Sequence, residues 1–165
     1  MFIAIIVILG IIISISGDND DNSVKKVDNT EKVRKEKIKT EFKVGETASY
    51  KGYEIKVNSV DFSEGGKFNK PDEGKKFVVV NLTITNHTNK TQTYNPYDYK
   101  LNADGNATDM DELMLDVDNR LESGELDKGA TVTGNLVGQA DPNKTLKLDY
   151  HSNMFEDKMI EFLLN

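Results

Sequence analysis

Between Phe77 and Thr85 every second residue is a branched aliphatic: Val78, Val80, Leu82 and Ile84 alternate with Val79, Asn81, Thr83 and Thr85. A two-residue period puts the four aliphatics on one face of an extended chain and the Asn and Thr residues on the other. β-branched side chains suit a pleated surface that is buried on one side. This stretch predicts a long strand with an oily inner row and restricts the fold to an antiparallel sheet packed on a second layer.

The same period recurs along the chain. Ile55 and Val57 alternate with Glu54 and Lys56, and the apolar phase then slips to Val60 and Phe62. An uncorrected slip of one residue would turn the later side chains to solvent, so a bulge is expected at Asn58-Ser59. Val132, Gly134 and Leu136 form another row, as do Leu146, Leu148 and Tyr150, and Ile160, Phe162 and Leu164. Phe42-Lys43-Val44 and Ala48-Ser49-Tyr50 are shorter candidates. Turn residues separate these runs at Glu64-Gly65-Gly66, Asp72-Glu73-Gly74, Asp104-Gly105, Ser123-Gly124 and Asp141-Pro142-Asn143. About seven short strands predict an all-β, immunoglobulin-like antiparallel β-sandwich over residues 42–165. One short helix is expected from Asp109, where Asp109-Met110-Asp111-Glu112 reads as a capping box and Met110, Leu113, Met114 and Val117 share a helical face. Phe77 and Val79, on the outer side of the best strand, are expected to pack under this helix or another loop.

Two segments precede the domain. Residues 1–16 are uncharged, and within them the apolar run from Phe2 to Ile15 spans roughly 20 Å as a helix, against a bilayer core of about 30 Å. The run reads as a secretory signal or single membrane anchor, with Ser14 and Ser16 as the small residues of a cleavage site. No Lys or Arg precedes it, so either translation starts upstream or the segment is an unconventional anchor. Residues 17–41 carry seven acidic and seven basic side chains, so the formal charge of −7 falls entirely on residues 42–165. The tract reads as a charged flexible linker with a reach of about 25–30 Å. Its basic stretch from Lys32 to Lys39 also allows a contact with anionic lipid or wall polymer.

Composition removes several function classes. Without cysteine there is no disulfide framework, thiolate metal site or thiol nucleophile. An acidic domain is a poor match for nucleic acid, which calls for a basic face. Neither a Gly-x-Ser-x-Gly elbow nor a phosphate or dinucleotide loop is present. His87 and His151 stand at unrelated positions, with no zinc spacing. No catalytic residue is therefore assigned. A secreted hydrolase is the least favoured alternative.

Two constellations stand out. The turn from Asn102 to Glu112 is rich in oxygen donors, and Asp104, Asn106, Asp109 and Asp111 are the candidate calcium ligands of an adhesion or sensing domain. The competing reading makes Asp104-Gly105 a tight turn and Asp109 a helix cap, since the glycine comes one place early and Leu113 stands where a calcium loop has Glu. The second constellation is aromatic. Tyr94-Asn95-Pro96-Tyr97-Asp98-Tyr99 holds three of six tyrosines, with Tyr99 expected inside and Tyr94 and Tyr97 offering contact area. Phe68, on the glycine-containing loop from Ser63 to Gly74, joins them as a candidate ligand-binding residue, or else clamps the sandwich end.

Lys43-Val44-Gly45-Glu46-Thr47, the run from Gly74 to Asn86, Tyr97-Asp98-Tyr99-Lys100-Leu101, Asp104-Gly105, Leu126-Asp127-Lys128-Gly129 and Val132 to Val137 follow one another in a familiar order. Together they resemble a domain of unknown function found in secreted lipoproteins and surface proteins of Gram-positive bacteria. That family is similar to the mycobacterial immunoprotective secreted antigen, an immunoglobulin-like β-sandwich. The resemblance implies an exported, surface-held module with no established catalytic residues; its shared positions are turn glycines, core alternation and a strand-ending Asn. Many relatives carry a lipobox cysteine that is absent here, which leaves a retained helix or free secretion. The expected partner is an unidentified protein or cell-wall ligand.

Overall fold

The computed structural model describes residues 24–26, 40–112, 117–151 and 159–165. The apolar run at residues 1–16 and most of the linker lie outside them. Within the tract read as linker, Val24–Lys26 forms β1, an edge strand paired antiparallel with Ala48 to Tyr50.

β1 belongs to a five-stranded antiparallel sheet with β3 (Thr47–Tyr50), β4 (Tyr53–Ser63), β5 (Lys76–Asn86) and β10 (Thr131–Ala140), in the order β1-β3-β4-β5-β10. The second sheet runs β2 (Glu41–Lys43), β12 (Ile160–Leu163), β11 (Leu146–Tyr150), β7 (Tyr99–Ala103) and β8 (Asn106–Asp109). A separate ribbon joins β6 (Gln92–Tyr94) to β9 (Gly124–Leu126). Among the described residues the strands pair antiparallel except β2 with β12. There Phe42 lies opposite Phe162, their ring centroids 5.5 Å apart. The two ends of the domain are thus joined in one sheet.

The two sheets stack as a β-sandwich. From the first, Ile55, Val57, Val78, Val80, Leu82, Ile84 and Leu136 are buried; from the second, Leu101, Leu146, Leu148, Ile160 and Phe162. Tyr53 of the first sheet stacks on Tyr150 of the second, centroids 6.4 Å apart. Two glycines in β10 allow close approach. A Cβ on Gly138 would stand 2.9 Å from Leu101 Cδ2, and one on Gly134 2.9 Å from Leu121 Cα. Both distances are too short for an ordinary carbon contact.

The expected bulge is present. Register shifts between Val57 and Ser59, so Val57 lies opposite Leu82 and Val60 opposite Val80, which keeps both aliphatics on the inner phase. Asn58 turns its amide across the outer face, donating to Asn81 Oδ1 at 2.8 Å and Thr83 Oγ1 at 2.9 Å.

The expected helix at Asp109 is not formed in the described residues. Asp109 instead ends β8, opposite Lys100. Asp111 bridges Val137, and the Glu112 amide donates to the Val137 carbonyl at 3.0 Å. The open edge of β10 explains the difference, because its backbone groups need partners and this segment supplies them in extended form. Leu113–Asp116 lie outside the described residues. The one helical element described is a 3-10 turn at Pro96–Asp98, capped by Asn95. Phe77 and Val79 do find a cover: with Val137 and Val117 they form a second apolar cluster on the outer face.

Asn86 ends β5 fully buried, 0% exposed. Its side chain donates to the carbonyls of Lys90 and Leu126 and accepts from the amide and hydroxyl of Thr88. Its backbone amide donates to Ala130, and its carbonyl accepts from Gly129. One residue thereby ties two loops to the end of the sheet. Asn86→Ala strands several of these buried groups and is expected to cost about 2–4 kcal/mol, read as a lower urea midpoint at unchanged m. Asn86→Asp is expected to be no rescue, since a carboxylate would face two carbonyls.

Candidate functional site

The flank where the free side of β10 meets the Pro96–Asp98 turn contains a cavity of about 190 Å³. Pro96, Tyr97, Met110, Asp111, Arg120, Leu121, Asn135 and Leu136 line it. Local rules place each contributor. Asn95 accepts from the Tyr97 amide at 3.0 Å and Pro96 begins the turn, which holds Tyr97 outward at 63% exposure. Asp111 and Arg120 are fixed by backbone bridges to Val137 and Asn135 on β10. The Arg120 guanidinium donates through Nη1 to the Glu112 carbonyl at 2.6 Å, and Gln139 donates to Glu112 Oε1 at 2.7 Å. The result is a small concave site with an aromatic rim, aliphatic walls and both signs of charge.

The structure separates the other singled-out residues. Tyr94 is partly buried, and its phenol fills the space a Cβ on Gly124 would take. Phe68 is 87% exposed and does not line the cavity. Its loop is pinned to β10 by the Asp72 amide, which donates to Gln139 Oε1 at 2.8 Å. Tyr99 is buried, as expected.

The four oxygen donors proposed for calcium do not converge. Asp104 and Gly105 have φ of +50° and +91° and form the two-residue turn of the β7–β8 hairpin, a geometry that demands such dihedrals. Asp104 Oδ1 accepts from the Thr145 amide at 3.0 Å. Asn106 and Asp109 lie three residues apart on one strand and so face opposite sides, and Asp109 pairs with Lys100. Asp111 lines the flank cavity. No group of three or more His, Asp or Glu side chains able to hold a metal ion occurs among the described residues. His87 is 3.3 Å from Glu54, whereas His151 follows β11 and donates its amide to the Asp98 carbonyl.

Three buried polar side chains lie elsewhere, on Tyr53, Tyr99 and Asp149. Tyr53 and Tyr99 bury their hydroxyls beside Tyr150, and burial pushes both phenols well above their ordinary range. Asp149 is on the outer side of the second sheet, opposite Lys100 and Glu161, yet only 1% exposed. Its Oδ2 accepts from Asn102 at 2.8 Å, while Oδ1 has no hydrogen-bond partner among the described residues. Burial raises this carboxyl above its usual value, against the Asn102 hydrogen bond and the charges of His151 and Lys147.

Residues 42–160 match a family described as a domain of unknown function, DUF4352. The chain belongs to this family. Solved structures share the fold. A lipoprotein candidate from Bacillus subtilis, ycdA, aligns with a TM-score of 0.61 at 20% identity over 70% of this chain. This chain spans only 37% of that protein. The yjhA protein of Bacillus subtilis aligns with a TM-score of 0.55 at 22% identity, covering 75% of this chain and 99% of yjhA. At these identities the likeness establishes a shared fold. No curated protein matches the sequence.

Arg120, Leu121 and Asn135 were not singled out from the sequence as site residues. The available signal was that Arg120 is the single arginine of residues 42–165.

Two outcomes are expected from this geometry. Asp149 keeps its proton to higher pH when folded, so its contribution to stability is present at low pH and lost as pH rises through the folded value. Asp149→Asn is therefore expected to be more stable than the parent at pH 7, with the gap closing as pH falls to about 4, followed by chemical denaturation across that range. Millimolar calcium is expected to leave the melting temperature unchanged in calorimetry; a clear rise would show the Asp104 turn rearranging around the ion.

Proposed function

We propose that this DUF4352 chain is an exported, non-enzymatic binding module presented at the cell surface, and that it engages its ligand through the Tyr97 flank. The apolar run at residues 1–16, the neutral tract behind it and the lipoprotein candidate among the structural neighbours support the surface placement. The order of segments that resembles secreted lipoproteins and surface proteins of Gram-positive bacteria supports the same placement. The single observation that carries the binding role is Tyr97. A fixed 3-10 turn holds it largely in solvent at the mouth of a cavity that also contains the domain's one arginine.

An exposed aromatic costs little to immobilise and offers a large contact area, and Tyr and Arg are enriched among residues that dominate binding energy. Tyr97→Ala removes the rim without touching the core. It is expected to reduce capture of a surface ligand at least about tenfold, in line with a loss of roughly 1.4 kcal/mol or more, while the melting temperature stays within error. Surface labelling of intact cells, with export-dependent labelling expected, checks the placement. Unchanged capture by the variant, or protection from label in intact cells, overturns the corresponding half of the reading.

A further inference from the structure

The flank cavity holds two charged side chains that do not neutralise each other. Arg120 spends one nitrogen on the Glu112 carbonyl, which orients the guanidinium and leaves its other donors without a partner among the described residues. Asp111 is exposed, lines the same cavity, and forms no ion pair with Arg120 or with any described lysine. Their backbones are bridged to Asn135 and Val137, two residues apart on β10. Two residues along a strand span about 7 Å, so the two charges issue from neighbouring points on one edge. Pro96, Tyr97, Leu121 and Leu136 line the same cavity. The volume, about 190 Å³, is below the roughly 300–1,000 Å³ of cavities that hold drug-sized ligands.

We propose that this cavity binds a small zwitterion of the α-amino acid class, with its carboxylate on Arg120, its ammonium on Asp111 and an uncharged body against Tyr97 and Pro96. The proposal rests on the reading of the Tyr97 flank as the binding site and names the class of ligand that fits it. A simple anion would meet the Asp111 carboxylate and a simple cation the guanidinium, each at a cost that a zwitterion avoids. A phosphate-bearing ligand is further disfavoured by the −7 charge of residues 42–165. A nucleotide exceeds the volume. The guanidinium fork matches a carboxylate, which gives the charge-assisted bond its direction.

The test is isothermal titration of the full-length chain with L-leucine, L-methionine and L-serine, then with L-leucinamide and N-acetyl-L-leucine, or the same derivatives of whichever amino acid binds best. At least one free amino acid is expected to bind, and loss of either charge to weaken it about tenfold or more. Arg120→Gln is expected to erase the preference for acid over amide, and Asp111→Asn the preference for free over acetylated amine. A purely structural role for either residue would not move these preferences, and circular dichroism checks the fold of each variant. No binding by any of the three up to about 10 mM, or equal binding of the charged and blocked forms, overturns the proposal. If Tyr97→Ala still loses its surface ligand while no amino acid binds, the zwitterion assignment falls and the flank remains a binding site. If neither effect is seen, both readings fall.

Discussion

The inner row of β5 carries the molecule. Val78, Val80, Leu82 and Ile84 are all fully buried, and the strand that bears them pairs along its length with β4 on one side and β10 on the other. Because side chains alternate strictly, both neighbours must present their apolar residues in the same phase or lose the core. Each neighbour adjusts its own backbone to comply. β4 inserts Asn58 as a bulge, and β10 uses glycine at 134 and 138 so that Leu121 and Leu101 can reach in. Burial at about 25 cal/mol per Å² of apolar surface makes that adjustment worth its local cost.

The outer side of the same sheet is divided. Near Phe77 it is apolar and covered, in a cluster with Val79, Val137 and Val117. Further along it is a ladder of uncharged side chains, in which Asn81 bonds Asn135 at 2.8 Å, Thr83 bonds Thr133 at 2.8 Å and Thr85 bonds Thr131 at 3.1 Å. These cross-strand pairs satisfy one another, as exposed sheet faces commonly arrange. The ladder ends at Asn86, where the polar row gives way to a buried amide that fastens the loops at 87–91 and 127–130.

The flank cavity exists because a sandwich must deal with its edges. β10 is the outermost strand of its sheet, and its free backbone groups are taken up by short stretches around Asp111 and Leu121 in place of a full strand. A full strand would have closed the edge. Two short bridges leave a gap, and Pro96 and Tyr97 form its mouth. The Asp104–Gly105 turn shows the contrasting case: its oxygen donors are used in closing a hairpin, with Asp104 tied to Thr145 and Asp109 to Lys100.

Most of the strands were legible from the sequence, because burial on one face forces a period that few other structures share. The bulge at Asn58, the buried Tyr99 and the tight turn at Asp104 were readable on the same ground. The helix expected at Asp109 was not, since a capping pattern describes what a segment prefers alone, and here the unpaired edge of β10 outweighed it. Nor was the site legible beyond Tyr97 and Asp111. Arg120 and Pro96 are 24 positions apart and carry no shared motif. Local alternation thus determined which residues face inward. Which distant residues share a cavity was decided only when the edge of β10 drew two remote segments to neighbouring points, because hydrogen-bond demand at an edge acts across space and leaves no period in the chain.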